Sequence, residues 1–153
     1  MAKLAFSKLN KIKSKEEVEV SIGEYTALVK QYLPLEEKID LMVAVLDQAG
    51  ADEGYFNMVK LKVYYTIEMI KAYTNITFTD KQLAEATKLY DAIILNDIQN
   101  KIFDRIPAEE SSYVWNAIVG MAKAITDYNR SFAGMLRTIS EDYSTLDSEI
   151  SDI

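Results

Sequence analysis

The chain has no cysteine and no histidine among its 153 residues, and only two prolines and five glycines. Without cysteine there is no disulfide framework, thiol nucleophile or thiolate metal site. Without histidine a Ser-His-Asp or Cys-His catalytic arrangement cannot be assembled, and the commonest zinc ligand is missing. The glycines form no G-x-x-x-x-G-K-[ST] or G-x-G-x-x-G loop, so nothing supports a phosphate cradle. Long apolar runs are missing too. The longest, LMVAVL at 41–46, is far short of the roughly 18 residues that span a bilayer. The opening MAKLAFSKLNKIKSK is broken by lysines and has no apolar core, which does not fit a signal peptide. Basic charge is in deficit: 17 Lys and Arg against 24 Asp and Glu leave a net charge of −7. That sign repels phosphate backbones. No nucleic-acid or membrane partner is expected, and the missing cysteines fit a reducing cytoplasm.

What is present suits one domain with a single core. The first fifteen residues carry five lysines and no acid, and residues 141–153, EDYSTLDSEISDI, carry five acids and no base. Both read as flexible arms. Their opposite signs offer one subunit's head to another's tail, a route to a homo-oligomer; two solvated termini are the simpler reading. In VEVSIGEYTALV (18–29), Val18, Val20 and Ile22 alternate with polar residues, the period of a half-buried strand. Gly23-Glu24 fits a type II′ turn, which pairs Ile22 with Tyr25, Val20 with Ala27 and Val18 with Val29. A helix from Tyr25 is the competing reading.

From Pro34 the pattern turns helical. Leu35, Ile39, Met42, Val43 and Leu46 predict the buried stripe of a first helix that ends near QAGADEG. A second helix over Asn57–Tyr73 is apolar on most sides, as the central helix of a bundle would be. Thr79 or Asp80 caps a third, continuous through Ile94. NDIQNKIFDRIP holds a short helical turn. The last helix follows a stripe from Tyr113 to Ile139, interrupted by Gly120 and Gly134, either of which fits close packing or a bend. The expected architecture is therefore mainly α: a helical bundle over 34–140 behind a small N-terminal β-hairpin.

Candidate chemistry is thin. DEGYFN (52–57) and NDIQN (96–100) do not match the spacing of a calcium loop, and neither a metal nor a cofactor is expected. Glu68, on the most apolar helix, is the best candidate for a carboxylate hydrolase. Such an enzyme needs a second acid roughly 5–10 Å away, and Lys60 and Lys71 on neighbouring turns favour an ion pair instead. The stretch YYTIEMIKAYTNITFTD (64–80) holds four aromatic residues. Too few basic residues are interleaved for a base-stacking platform, so the stretch reads as core. Tyr65 and Tyr73 are then expected at its rim, and with Trp115 they are the candidate protein-binding residues.

The segments V-x-I-G, VKQYLPLEEKIDLM, GYFNMVKLKVYYTIEMIKAYTNITFTD and KLYD resemble small proteins encoded among the tail genes of phages infecting Gram-positive bacteria and assigned as tail assembly chaperones. The resemblance covers about residues 18–91. It implies a non-catalytic protein of the host cytoplasm that binds and solubilises the tail tape-measure protein before tail-tube subunits polymerise around it. Apolar grooves would cover the partner's helical seams. The exposed edges of the second and last helices and the two arms are where such contact is expected. A structural tail or head–tail connector protein is the alternative, and a carboxylate-based hydrolase the third.

Overall fold

A computed structural model describes residues 1–9, 17–52 and 54–151. The architecture is mainly α with a small N-terminal hairpin. Strands β1 (Val18–Ile22) and β2 (Tyr25–Val29) pair antiparallel with Ile22 opposite Tyr25, Val20 opposite Ala27 and Val18 opposite Val29. The turn is type II′: Gly23 takes φ 62° while Glu24 keeps a negative φ, so only the first central residue needs the freedom glycine has. Val20, Ala27 and Val29 go into the core. Tyr25, predicted on the same face, stands exposed at the tip. The helical alternative for this segment is not adopted.

Helix α2 (Leu35–Ala49) follows, then a second hairpin of two-residue strands where the sequence predicts a plain turn: β3 (Ala51–Asp52) with β4 (Tyr55–Phe56). Helix α3 (Met58–Tyr73) is capped by the Asn57 side chain, which accepts from the amides of Val59 and Lys60. It is the central element, packed by α2 and by two of the helices that follow it. At its end, the Lys30 amide donates to the Tyr73 carbonyl at 2.7 Å and the Leu28 amide to Asn75 Oδ1 at 2.9 Å, tying the hairpin to the bundle.

Helix α4 (Asp80–Ala84) starts in a capping box of Thr79 with Gln82 and stops at Glu85. Helix α5 (Ala86–Leu95) resumes in a new direction, so the single helix predicted through Ile94 is two. Helix α6 (Ile98–Phe103) begins at Asp97, held in the left-handed region at φ 57°, a conformation that Asp tolerates better than most residues.

Helix α7 runs without a break from Ala108 to Ser151. The acidic segment 141–151, expected as a flexible arm, is its last three turns. No proline falls after Pro107, so no strong stop signal ends it sooner. Gly120 and Gly134 mark no close approach either, because a Cβ at each would meet nothing within 4 Å. Of the N-terminal arm, residues 1–9 are exposed and include a one-turn helix, α1 (Phe6–Leu9). Lys11, Lys13 and Lys15 lie outside the described residues. None of the helices is long and apolar enough, among the described residues, to cross a membrane.

The buried face of α2 differs from the predicted stripe. Lys38, Leu41, Met42, Val45 and Ala49 face the core, whereas Leu35, Ile39 and Val43 are about half exposed. The cause is a buried ion pair. The Lys38 ammonium lies 2.9 Å from Glu110 of α7, and both residues are buried. A lysine turned inward moves the core face by most of one residue's rotation, and hydrophobic spacing cannot register it. Glu110 Oε2 also accepts from the Tyr73 hydroxyl at 2.7 Å and the Leu33 amide at 3.3 Å. One carboxylate thus joins α2, α3, α7 and the segment leading from the hairpin.

Candidate functional site

The residues of 64–80 are mostly core. Tyr65 and Tyr73, expected at the rim, are 2% and 0% exposed, which removes both as contact residues. A mostly apolar helix in the centre of a bundle leaves its aromatic residues no path to solvent. Burial drives the phenol of Tyr73 far above its ordinary range, and its hydrogen bond to the Glu110 carboxylate adds to this. Burial likewise pushes Tyr65 up to about 12, the nearby Ser111 side chain offsetting part of the rise.

Trp115 is half-buried and does face a groove. An apolar concavity of about 380 Å³ lies between the first turns of α3, the middle of α5 and α7, lined by Met58, Val59, Lys62, Val63, Tyr90 and Trp115. Val59 is 73% exposed, and Met58 is about half exposed. These two stand on the outer edge of α3, next to the Asn57 cap that fixes where the helix begins.

Behind the groove the packing is firm. The rings of Tyr65 and Trp115 are 4.9 Å apart, and Tyr65 meets Phe103 edge-on at 5.9 Å. The Tyr65 hydroxyl donates to the Ser111 carbonyl of α7 at 3.0 Å. The Lys62 ammonium sits 4.7 Å from the Trp115 ring centroid and 4.9 Å from that of Tyr65. Tyr65 is therefore a positioning residue for Trp115, while Tyr73 belongs to the Glu110 network two turns further along α3. The structure brings two of the three predicted residues to one place and gives them different jobs. Met58, Val59, Val63 and Tyr90, which also line the groove, do not stand out as contact residues in the sequence. Their signal was a helix with more apolar residues than one core face can take, which by itself does not say which of them stay outside.

Glu68 is held as expected of an ion-paired residue. It lies 3.2 Å from Lys71, and Gln48 donates to it at 2.8 Å. Among the described residues there is no group of three or more Asp or Glu placed to hold a metal ion. A second concavity, of about 320 Å³, is polar and lies between the β3–β4 turn and α7. There Arg130 stacks 5.0 Å from the Tyr55 ring and donates from Nε to the Tyr55 hydroxyl at 3.3 Å. Gly54, at φ 85°, lies so close to α7 that a Cβ would be 3.2 Å from Asn129 Cβ.

Comparison of the chain with protein-family models, with curated proteins and with solved structures finds no match.

Proposed function

We propose that the protein is a non-catalytic assembly chaperone that docks an apolar-seamed helix of its partner in the Met58–Val59–Trp115 groove. The observation that carries this reading is Val59, a large aliphatic side chain that is 73% exposed at the lip of an apolar groove floored by a fixed tryptophan. Monomeric proteins seldom leave such a patch uncovered without a use for it, and a groove of this kind takes the i, i+3, i+4 anchors of an amphipathic helix. The acidic surface keeps such a complex soluble. Read with the resemblance to phage tail assembly chaperones, the partner is the tail tape-measure protein, bound in the host cytoplasm before the tail tube polymerises. Several copies along one long helical partner would gain by avidity even with weak individual contacts.

The test is to express the tagged protein in phage-infected cells, identify what co-purifies by mass spectrometry, and repeat with Val59→Glu. Recovery of the tape-measure protein with the wild type, its loss with Val59→Glu, and absence of the protein from finished virions support the reading. Presence in purified virions would instead make it a structural tail component. Recovery of the tape-measure protein unchanged by Val59→Glu would remove the groove from the interface.

A further inference from the structure

The groove between α3, α5 and α7 carries a charge at one point only. Met58, Val59, Val63, Tyr90 and Trp115 line it, and the remaining lining residue is Lys62. Lys62 follows Met58 by four residues and Val59 by three. It therefore stands on the same side of α3 as both, one turn further along. The residue is exposed, yet its charge is not carried away from the groove. The ammonium is held over the aromatic floor, 4.7 Å from the Trp115 ring centroid and 4.9 Å from that of Tyr65.

Among the described residues no carboxylate pairs with this cation. Further along α3, Glu68 is held by Lys71, and at the start of α5 Glu85 is held by Lys88. While the groove is open, water satisfies the three N–H donors of the ammonium. A helix laid over Met58, Val59 and Trp115 removes that water. The ring faces attract the cation, but stripping water from an unpaired ammonium costs more than a cation–π contact recovers. An occupant that brings a carboxylate to this point offsets the loss. One that brings Lys or Arg there adds a like charge to it.

We infer that the groove selects helices with an Asp or Glu beside their apolar stripe, one turn from the residues that meet Met58 and Val59, and that Lys62 makes the selection. The carboxylate bonds to the Lys62 ammonium while the apolar anchors cover Val59 and Trp115. The chain's net charge is −7, so long-range attraction does not draw an acidic helix in, and the preference arises at the contact. This selection rests on the reading of the groove as a helix-docking site. It adds which helices are accepted: those whose apolar stripe is flanked by bases are turned away.

Trp115 is the chain's one tryptophan and lines the groove, so its fluorescence reports occupancy by a probe that has no aromatic residue. The probes are amphipathic helical peptides with one leucine stripe at i, i+3, i+4 and i+7, flanked on both sides by Glu, by Gln or by Lys. They are titrated into the full-length protein at about 0.3 M salt, where attraction beyond the contact is screened. The Glu peptide should bind roughly fivefold more tightly than the Gln peptide, and the Lys peptide more weakly than either. Lys62→Glu should reverse the order, and Lys62→Met, which keeps the apolar stem, should make the peptides alike. Lys62 is exposed, so both variants should keep the wild-type circular dichroism spectrum. Val59→Glu should abolish the response to the Gln peptide. Equal affinity for the Glu and Lys peptides, or an order unchanged by Lys62→Glu, overturns the inference and leaves the groove standing as a helix site. No response to any of the peptides removes the groove itself, and the selection with it.

Discussion

The Tyr73 hydroxyl donates a 2.7 Å hydrogen bond to Glu110, whose other carboxylate oxygen lies 2.9 Å from the Lys38 ammonium. All three side chains are buried, and they come from three different helices. Removing the shared carboxylate leaves a buried ammonium without its partner, which costs more than the pair itself contributes. Glu110→Ala should lower unfolding free energy by about 3–5 kcal/mol, and Tyr73→Phe by only about 1–2 kcal/mol. Urea denaturation followed by circular dichroism checks both. Equal effects would mean that the ion pair does not join the helices as described.

The two buried phenols predict an alkaline limit. Tyr65 and Tyr73 are raised above their ordinary value near 10, Tyr65 to about 12 and Tyr73 in the same direction. The fold favours the protonated phenol, so this stabilisation is complete below about pH 10 and is lost as pH climbs through about 12. Unfolding free energy should fall over that window, and less steeply in Tyr65→Phe, which keeps the ring against Trp115. The late part of the phenolate absorbance titration should shrink in the same variant. A titration with no late component would refute the burial of these hydroxyls.

The orientation of α2 can be tested with two valines two positions apart. Val45 is 0% exposed and Val43 is 48% exposed. Val45→Ala should cost about 2 kcal/mol, and Val43→Ala less than about 0.5 kcal/mol. The predicted stripe that included Val43 requires the opposite order, so thermal or urea midpoints of the pair decide between the two faces.

At Gly54 both backbone and space are restricted: φ is 85°, and an added Cβ would press on Asn129. Gly54→Ala should cost about 1–2 kcal/mol through the left-handed backbone alone. It should also loosen the Tyr55–Arg130 stack, visible as faster amide exchange in α7 around Arg130. At Gly23, where a Cβ would meet nothing within 4 Å, Ala should bring only the backbone cost.

Several parts of the fold were legible because their signals are local. Alternation at Val18, Val20 and Ile22 together with glycine at 23 gave the hairpin and its register, since a two-residue turn leaves one in-phase pairing. Thr79, one of two capping candidates with Asp80, marked a helix start because capping is a bond between near neighbours in sequence. Helix α3 was readable as central from its apolar excess. The short β3–β4 hairpin and the break at Glu85 were not, because each depends on what packs beside it. The candidate site was legible only in part: Trp115 stood out as the one tryptophan, but nothing local separates an exposed Val59 from a buried Leu61 on the same helix.

The sequence by itself determined that this is a chain without cysteine or histidine chemistry, acidic, mostly helical, with one strand pair whose register is set by a glycine turn. Tertiary structure alone decided which sides of the helices are inside. Lys38 turned inward because Glu110 arrives from a helix some seventy residues later, and that pairing rotated α2 away from its apparent stripe. Tyr65 and Tyr73 went into the core because α3 became the helix that others surround. The same kind of apolar spacing buries Val114 and Ile118 within the body, yet leaves Phe132 and Ile139 uncovered beyond it. Hydrophobic periodicity records that a face wants cover, and only the arrangement of the other elements determines whether the chain supplies it.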